Sequence, residues 1–201
     1  MLTFRSLLLP LLVAVALPTL ADEAEIRKNL AQRLPEFPKI DEVTKTPVPG
    51  LWEVRIGNEL PLKDALVIKQ GNGARKLAVF ADPNCGYCKR LERELVALKD
   101  VTIYNFIYPV LGPDSDQKSR AIWCSKDAMK TWRDWMLDGV APPRAMGNCD
   151  MAAVDRTIAY GKKYRINGTP AIIFENGERV PGALSGADLA KRLDDAKKPK
   201  S

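Results

Sequence analysis

The chain has 201 residues, with 31 Lys and Arg against 25 Asp and Glu, and not one histidine. The missing imidazole excludes Ser-His-Asp and Cys-His hydrolases and removes the commonest general base and metal ligand. The charges are interspersed, with no basic block and no aromatic interleaving, so they read as a solvated surface and no nucleic-acid partner is expected.

Residues 1–21 read as a secretory signal peptide. Arg5 precedes an apolar run from Leu7 to Leu17, and Thr19-Leu20-Ala21 offers small residues at both cleavage positions. The run falls short of the ~20 residues that span a bilayer, and Pro10 and Pro18 interrupt it. Cleavage after Ala21 is expected, with no stable membrane insertion.

Residues 22–60 form a small N-terminal region. Ile26, Leu30 and Leu34 repeat at i+4, which predicts a helix over Glu23–Leu34, stopped by Pro35 and Pro38. Val43 to Gly50 is Pro-rich and extended. Leu51 to Ile56 alternates apolar and polar and reads as a strand, closed by a turn at Gly57-Asn58. A region this small cannot bury a core of its own and needs a partner surface.

Residues 61–201 carry the larger domain. Ala65-Leu66-Val67-Ile68 and Leu77-Ala78-Val79-Phe80 read as strands around a Gly71-Asn72-Gly73 turn. Leu91, Leu95 and Leu98 mark one face of a helix, with Lys89, Arg90, Glu92, Arg93 and Glu94 on the other. Val101 to Pro109 is a further strand, and Leu111 to Asp116 a turn. Helices are predicted over Gln117–Leu137 and Asp150–Tyr164, giving a helical insertion of about 114–164. Ala171-Ile172-Ile173-Phe174 is a strand, Asn176-Gly177 a hairpin turn and Arg179–Gly182 an edge strand. Ser185 caps a last helix, with Asp188 at the capping-box position. This order predicts an α/β thioredoxin-like fold with a helical insertion, preceded by a small α+β region.

Cys85-Gly86-Tyr87-Cys88 is the motif that carries chemistry. It stands between the Leu77–Phe80 strand and the next helix, so Cys85 lies at a helix N-terminus. Backbone N–H groups and the helix dipole there favour a thiolate, which makes Cys85 the nucleophile. Cys88, one turn on, can resolve a mixed disulfide. Gly86 and Tyr87 lie between the thiols and tune the site, and Asp82 and Lys89 flank it, read as exposed charges. Trp123, Trp132 and Trp135 read as packing of the core or the insertion. The four cysteines allow three pairings, and taking 85–88 as the close pair leaves Cys124 and Cys149. A zinc site is not expected, because histidine is absent and the second pair lacks zinc-ribbon spacing.

Phe80-Ala81-Asp82-Pro83-Asn84-Cys85-Gly86-Tyr87-Cys88, followed by Gly168-Thr169-Pro170, resembles the bacterial periplasmic DsbC/DsbG thiol:disulfide interchange proteins. Asp114-Ser115-Asp116, Ala121-Ile122-Trp123-Cys124 and Val180-Pro181-Gly182 extend the likeness, and Gly-Tyr between the thiols resembles the DsbC type. The resemblance implies Cys85 as attacking and Cys88 as resolving thiol, and Thr169-Pro170 as a substrate-binding cis-proline loop. It further implies a structural disulfide between Cys124 and Cys149, and no cofactor. It implies a periplasmic location and, as partners, misfolded disulfide-containing exported proteins and a DsbD-like membrane thiol reductant. The N-terminal region departs from the family pattern, lacking its second hairpin and long linker helix, so the homodimer is the expectation least supported by resemblance. The expected activity is isomerisation or reduction of incorrect disulfides. The alternatives are a DsbA-like dithiol oxidase and a holdase-type periplasmic chaperone.

Overall fold

The computed structural model describes residues 22–34, 40–56, 60–144 and 149–198. The signal-peptide reading and the Gly57-Asn58 turn lie outside them. The chain divides into two compact units after Leu60.

In the N-terminal unit, α1 spans Glu23–Arg33. It starts there because the Asp22 carboxylate accepts the Glu25 N–H at 2.8 Å, satisfying an end-of-helix donor. Two antiparallel strands follow, β1 (Ile40–Lys45) and β2 (Trp52–Ile56), with Val43 opposite Val54 and Lys45 opposite Trp52. The sequence reading had only an extended stretch over Val43–Gly50. The strand is legible only with its partner in view, because Thr44 and Lys45 give it a polar profile. It ends at Lys45 because Pro47 and Pro49 cannot donate to a ladder, and the Thr46 hydroxyl accepts the Val48 N–H as the chain reverses. Among the described residues of this unit only Val43 is buried; Leu34, Val48 and Leu51 remain 47–57 % exposed.

The larger unit opens with a short 3-10 turn, Leu62–Asp64. A five-stranded sheet follows: β3 (Leu66–Gln70), β4 (Arg75–Ala81), β5 (Val101–Ile107), β6 (Ala171–Phe174) and β7 (Arg179–Pro181), in the order β3-β5-β4-β6-β7. Only β4 and β5 run parallel, and α2 (Gly86–Val96) connects them. The remaining helices are α3 (Pro113–Trp123), α4 (Ala128–Asp138), α5 (Ala152–Lys163) and α6 (Gly186–Asp195). One apolar cluster joins Leu77, Val79, Leu91, Leu95, Ile103, Trp132, Ile172 and Leu189. Elsewhere Phe80 stacks on Phe106 and Tyr160, with centroids 4.7 and 5.8 Å apart. Asp64, its side chain buried, takes two hydrogen bonds from the Arg156 guanidinium, 2.7 and 2.8 Å, and so ties the start of this unit to α5.

Local readings are sharpened or corrected at three places. The predicted turn over Leu111–Asp116 is shorter, ending at Gly112, and α3 begins at Pro113, because Gly112 adopts φ 107° and Pro113 then sits at the first helical position. The helical stretch over Gln117–Leu137 resolves into two helices: Cys124 caps α3, and the Asp127 carboxylate starts α4 by accepting the Lys130 N–H at 2.9 Å. Glu92 does not join the solvated face of α2. It is buried, and one carboxylate oxygen accepts the Trp132 indole N–H at 3.2 Å while the other has no partner.

Burial pushes the Glu92 carboxyl above the ordinary glutamate range. A raised folded-state value means the native chain holds the proton that the unfolded chain releases, so stability falls as pH rises through that window. Glu92→Gln keeps an acceptor for Trp132 and removes the buried charge. It should raise the melting temperature at pH 8 and change it little at pH 4. Thermal unfolding of both proteins across this range checks the expectation; a lower melting temperature at pH 8 would contradict it.

Candidate functional site

The site forms where β4 gives way to α2. Cys85 is the N-cap of α2, in extended conformation, and its Sγ accepts the Cys88 backbone N–H at 3.2 Å. This places the sulfur at the end of the helix where unpaired N–H groups and the dipole favour negative charge. The same sulfur lies 3.3 Å from the Thr169 carbonyl, to which the protonated thiol donates. Both cysteines are free and buried. Gly86 and Tyr87 cap the thiols on the solvent side, Tyr87 being 67 % exposed.

The two sulfurs differ in environment. Burial pushes the Cys88 thiol far above the usual range, and its hydrogen bond with Cys85 adds to the effect. Cys88 is therefore held as a neutral thiol.

Thr169-Pro170 sits opposite, joined by a cis peptide bond. Its loop is anchored at both ends. The Tyr108 hydroxyl donates to the Ile166 carbonyl at 3.0 Å, and the Gly182 N–H donates to the Pro170 carbonyl at 2.8 Å. Gly161 makes the first anchor possible, since a Cβ there would come within 2.4 Å of the Tyr108 ring. A groove of about 440 Å³ runs along this loop, lined by Asn167, Gly168, Thr169, Pro170, Arg179 and Pro181 among others.

The three residues before Cys85 are held by the helical insertion. Asp82 is fully buried, which corrects the reading of it as an exposed charge. Its Oδ1 accepts the Asn84 N–H at 2.7 Å and the Ser115 hydroxyl at 2.8 Å; its Oδ2 accepts the Val110 and Leu111 N–H groups at 2.7 and 2.9 Å. The Pro83 carbonyl accepts the Trp135 indole N–H at 2.6 Å. The Asn84 side chain donates to Asp114 and Ser115 and accepts from Lys118. Lys89 is half-buried and also departs from the exposed reading. Its ammonium lies 3.9 Å from the centre of the Trp135 ring and that of Lys118 lies 4.3 Å away. Burial lowers the Lys89 pKa, and the charges of Lys118 and Arg93 lower it further.

Sequence reasoning missed Asn84, Ser115 and Trp135 as parts of this site. The turn-forming run Asp82-Pro83-Asn84 ahead of the motif was the available signal. Cys124 and Cys149 stand apart from the free thiols, bonded to each other across the insertion with a Cα–Cα distance of 5.6 Å. Trp132 is core, while Trp123 donates its indole N–H to the Asp150 carbonyl at 3.1 Å near that bond.

Residues 62–197 match a thioredoxin-like domain family, and residues 18–60 match the N-terminal domain of disulfide bond isomerase proteins. A probable thiol:disulfide interchange protein DsbC from Bordetella pertussis is 46% identical over 162 residues, 79% of this chain and 57% of that protein. The chain thus spans a little over half the length of that relative. The thiol:disulfide interchange protein DsbC of Escherichia coli K12 is 30% identical, over 75% of this chain and 67% of its own length. A crystal structure of a disulfide interchange protein from Neisseria gonorrhoeae aligns with TM-score 0.64 and 35% identity, covering 70% of this chain and all of that one. Among the described residues, no helix is long and apolar enough to cross a membrane.

The Cys124–Cys149 bond closes a span of 25 residues and leaves Cys85 and Cys88 free. Cys124→Ala should lower stability by about 3 kcal/mol on the loop-entropy account. Reduction of a small disulfide per folded molecule should stay within about twofold of the parent. Denaturant unfolding and a turnover assay check both; lost turnover at unchanged stability would instead make the pair a redox relay.

Proposed function

The chain belongs to the DsbC family of thiol:disulfide interchange proteins, and we propose from that premise that it isomerises or reduces incorrect disulfides in exported proteins. The observation that carries the reading is the pair of unlike sulfurs: Cys85 at the start of α2 beside the Thr169 carbonyl, Cys88 buried behind it.

Cys85, as thiolate, attacks one sulfur of a substrate disulfide. That S–S bond breaks, a mixed disulfide forms with Cys85, and the electron pair leaves on the second substrate sulfur. From there two courses follow. In the first, the freed substrate thiolate attacks another disulfide of the substrate, and the thiolate released there attacks the substrate sulfur of the mixed disulfide, expelling Cys85 as thiolate and completing isomerisation with no net change in redox state. Alternatively, Cys88 loses its proton and attacks Cys85, releasing reduced substrate and leaving an 85–88 disulfide. That disulfide must then take two electrons from an external dithiol, for which a DsbD-like membrane reductant is the proposed partner. Thr169-Pro170 and the groove beside them supply the surface on which an extended substrate segment lies, by strand-like pairing. Gly86 and Tyr87 form the exposed cap it meets first.

Protein disulfides persist in oxidising compartments, so the proposed setting is the periplasm, reached through a cleaved leader at residues 1–21. The N-terminal unit supports a homodimer: it matches the isomerase N-terminal domain, and a groove of about 660 Å³ between α1 and its hairpin is lined by Ile26, Leu30, Val48, Leu51 and Trp52. A dimer would hide this apolar surface from water.

Reactivation of a scrambled multi-disulfide protein tests the function. Cys85→Ser should abolish it. Cys88→Ser should retain slow isomerisation while accumulating mixed disulfides at Cys85, and should lose net reduction. Activity retained by Cys85→Ser would overturn the assignment. Light scattering should find a dimer at tens of micromolar, and deletion of residues 22–60 should give a monomer that reduces small disulfides yet fails on the scrambled protein. A full-length monomer would remove the dimer from the proposal.

A further inference from the structure

We propose that Asp82 is the positioning residue of the exchange reaction: its carboxylate holds Cys85 at the start of α2 and thereby sets how strongly the dithiol form is favoured. The inference rests on the reading of Cys85 as the exchanging thiol. It assigns a role to a residue outside the C-x-x-C motif and the proline loop.

The argument begins with the number of donors. Two carboxylate oxygens offer about four acceptor positions. At Asp82 all are taken, by the N–H groups of Asn84, Val110 and Leu111 and by the Ser115 hydroxyl, at 2.7–2.9 Å. Asp82 also uses its main chain, since its carbonyl accepts the Cys85 N–H at 3.1 Å. One residue therefore closes the turn from 82 to 85 twice, through the side chain at Asn84 and through the backbone at Cys85. It also bolts that turn to the segment leading into α3. The turn fixes where α2 begins. The start of α2 in turn fixes the Cys88 N–H on the Cys85 sulfur at 3.2 Å.

A carboxylate is required by this arrangement. Every one of the four neighbours is a donor, so the NH₂ of an asparagine would face donors and leave at least one of them unpaired in a fully buried position. The charge itself is spread over four hydrogen bonds, so its direct repulsion of a Cys85 thiolate is weakened. The geometric effect then outweighs the electrostatic one. Loosening the turn weakens thiolate stabilisation, and with it the reduced state.

The test is the equilibrium between the full-length protein and glutathione. The dithiol reduces one glutathione disulfide to two glutathiones and becomes the 85–88 disulfide, a two-electron exchange with balanced thiols. Asp82→Asn should move this equilibrium at least fivefold towards the protein disulfide. Asp64→Asn provides the control: it disturbs a buried carboxylate in the same unit, one held by Arg156 of α5. It should lose stability and leave the equilibrium at the parent value. If Asp82→Asn fails to fold, Ser115→Ala removes a single donor and should still move the equilibrium about twofold in the same direction. An unchanged equilibrium in a folded Asp82→Asn, or in Ser115→Ala where that variant must serve, would overturn the inference. A shift towards the dithiol would also overturn it, because charge repulsion would then be the larger effect. These readouts need no isomerase substrate, so a failed isomerase assignment would not disturb them.

Discussion

The structure depends on how the Cys85 sulfur is held: it stands at a helix start, where it accepts an N–H, and beside a carbonyl, to which its protonated form donates. The first turn of α2 supplies the N–H of Cys88, and the Thr169 carbonyl, in the loop before β6, stands 3.3 Å away. Everything nearby serves this meeting. β4 and β6 are hydrogen-bonded neighbours, with Phe80 opposite Ala171, so the chain leaving one and the chain entering the other converge. Asp82, Trp135 and Tyr108 then remove the remaining freedom of the two loops.

The same placement separates the labour of two chemically identical groups. Cys85 and Cys88 are both buried, but only one has the helix start on its sulfur. Cys88 has lost its water without gaining a charge partner, so it remains protonated. On the proposed reading Cys85 attacks first and Cys88 resolves second, and burial and helix geometry are what support that order.

Much of this was legible in the residues. The apolar run Leu77–Phe80, the motif, and Leu91 and Leu95 at i+4 placed the thiols at a strand–helix junction, since those patterns reflect short-range backbone geometry. The thioredoxin-like order of elements followed from similar local signals. What stayed hidden depends on partners far along the chain. Asp82 looks like any surface aspartate until Val110, Leu111 and Ser115 arrive from 28–33 residues away, and two of those donors are main-chain groups with no sequence signature. Glu92 fits a solvated helix face by its chemistry, yet Trp132, 40 residues on, covers it. The start of α3 was lost for another reason: Gly112-Pro113-Asp114 has the composition of a turn, and here it serves as a helix start.

The most direct measurement is the site of first modification. The reduced protein is treated at pH 7 with less than one equivalent of iodoacetamide, quenched, and digested for mass spectrometry. The alkyl group should sit on Cys85 at least tenfold more often than on Cys88. Equal labelling, or a preference for Cys88, would contradict the division between an attacking thiolate and a buried resolving thiol.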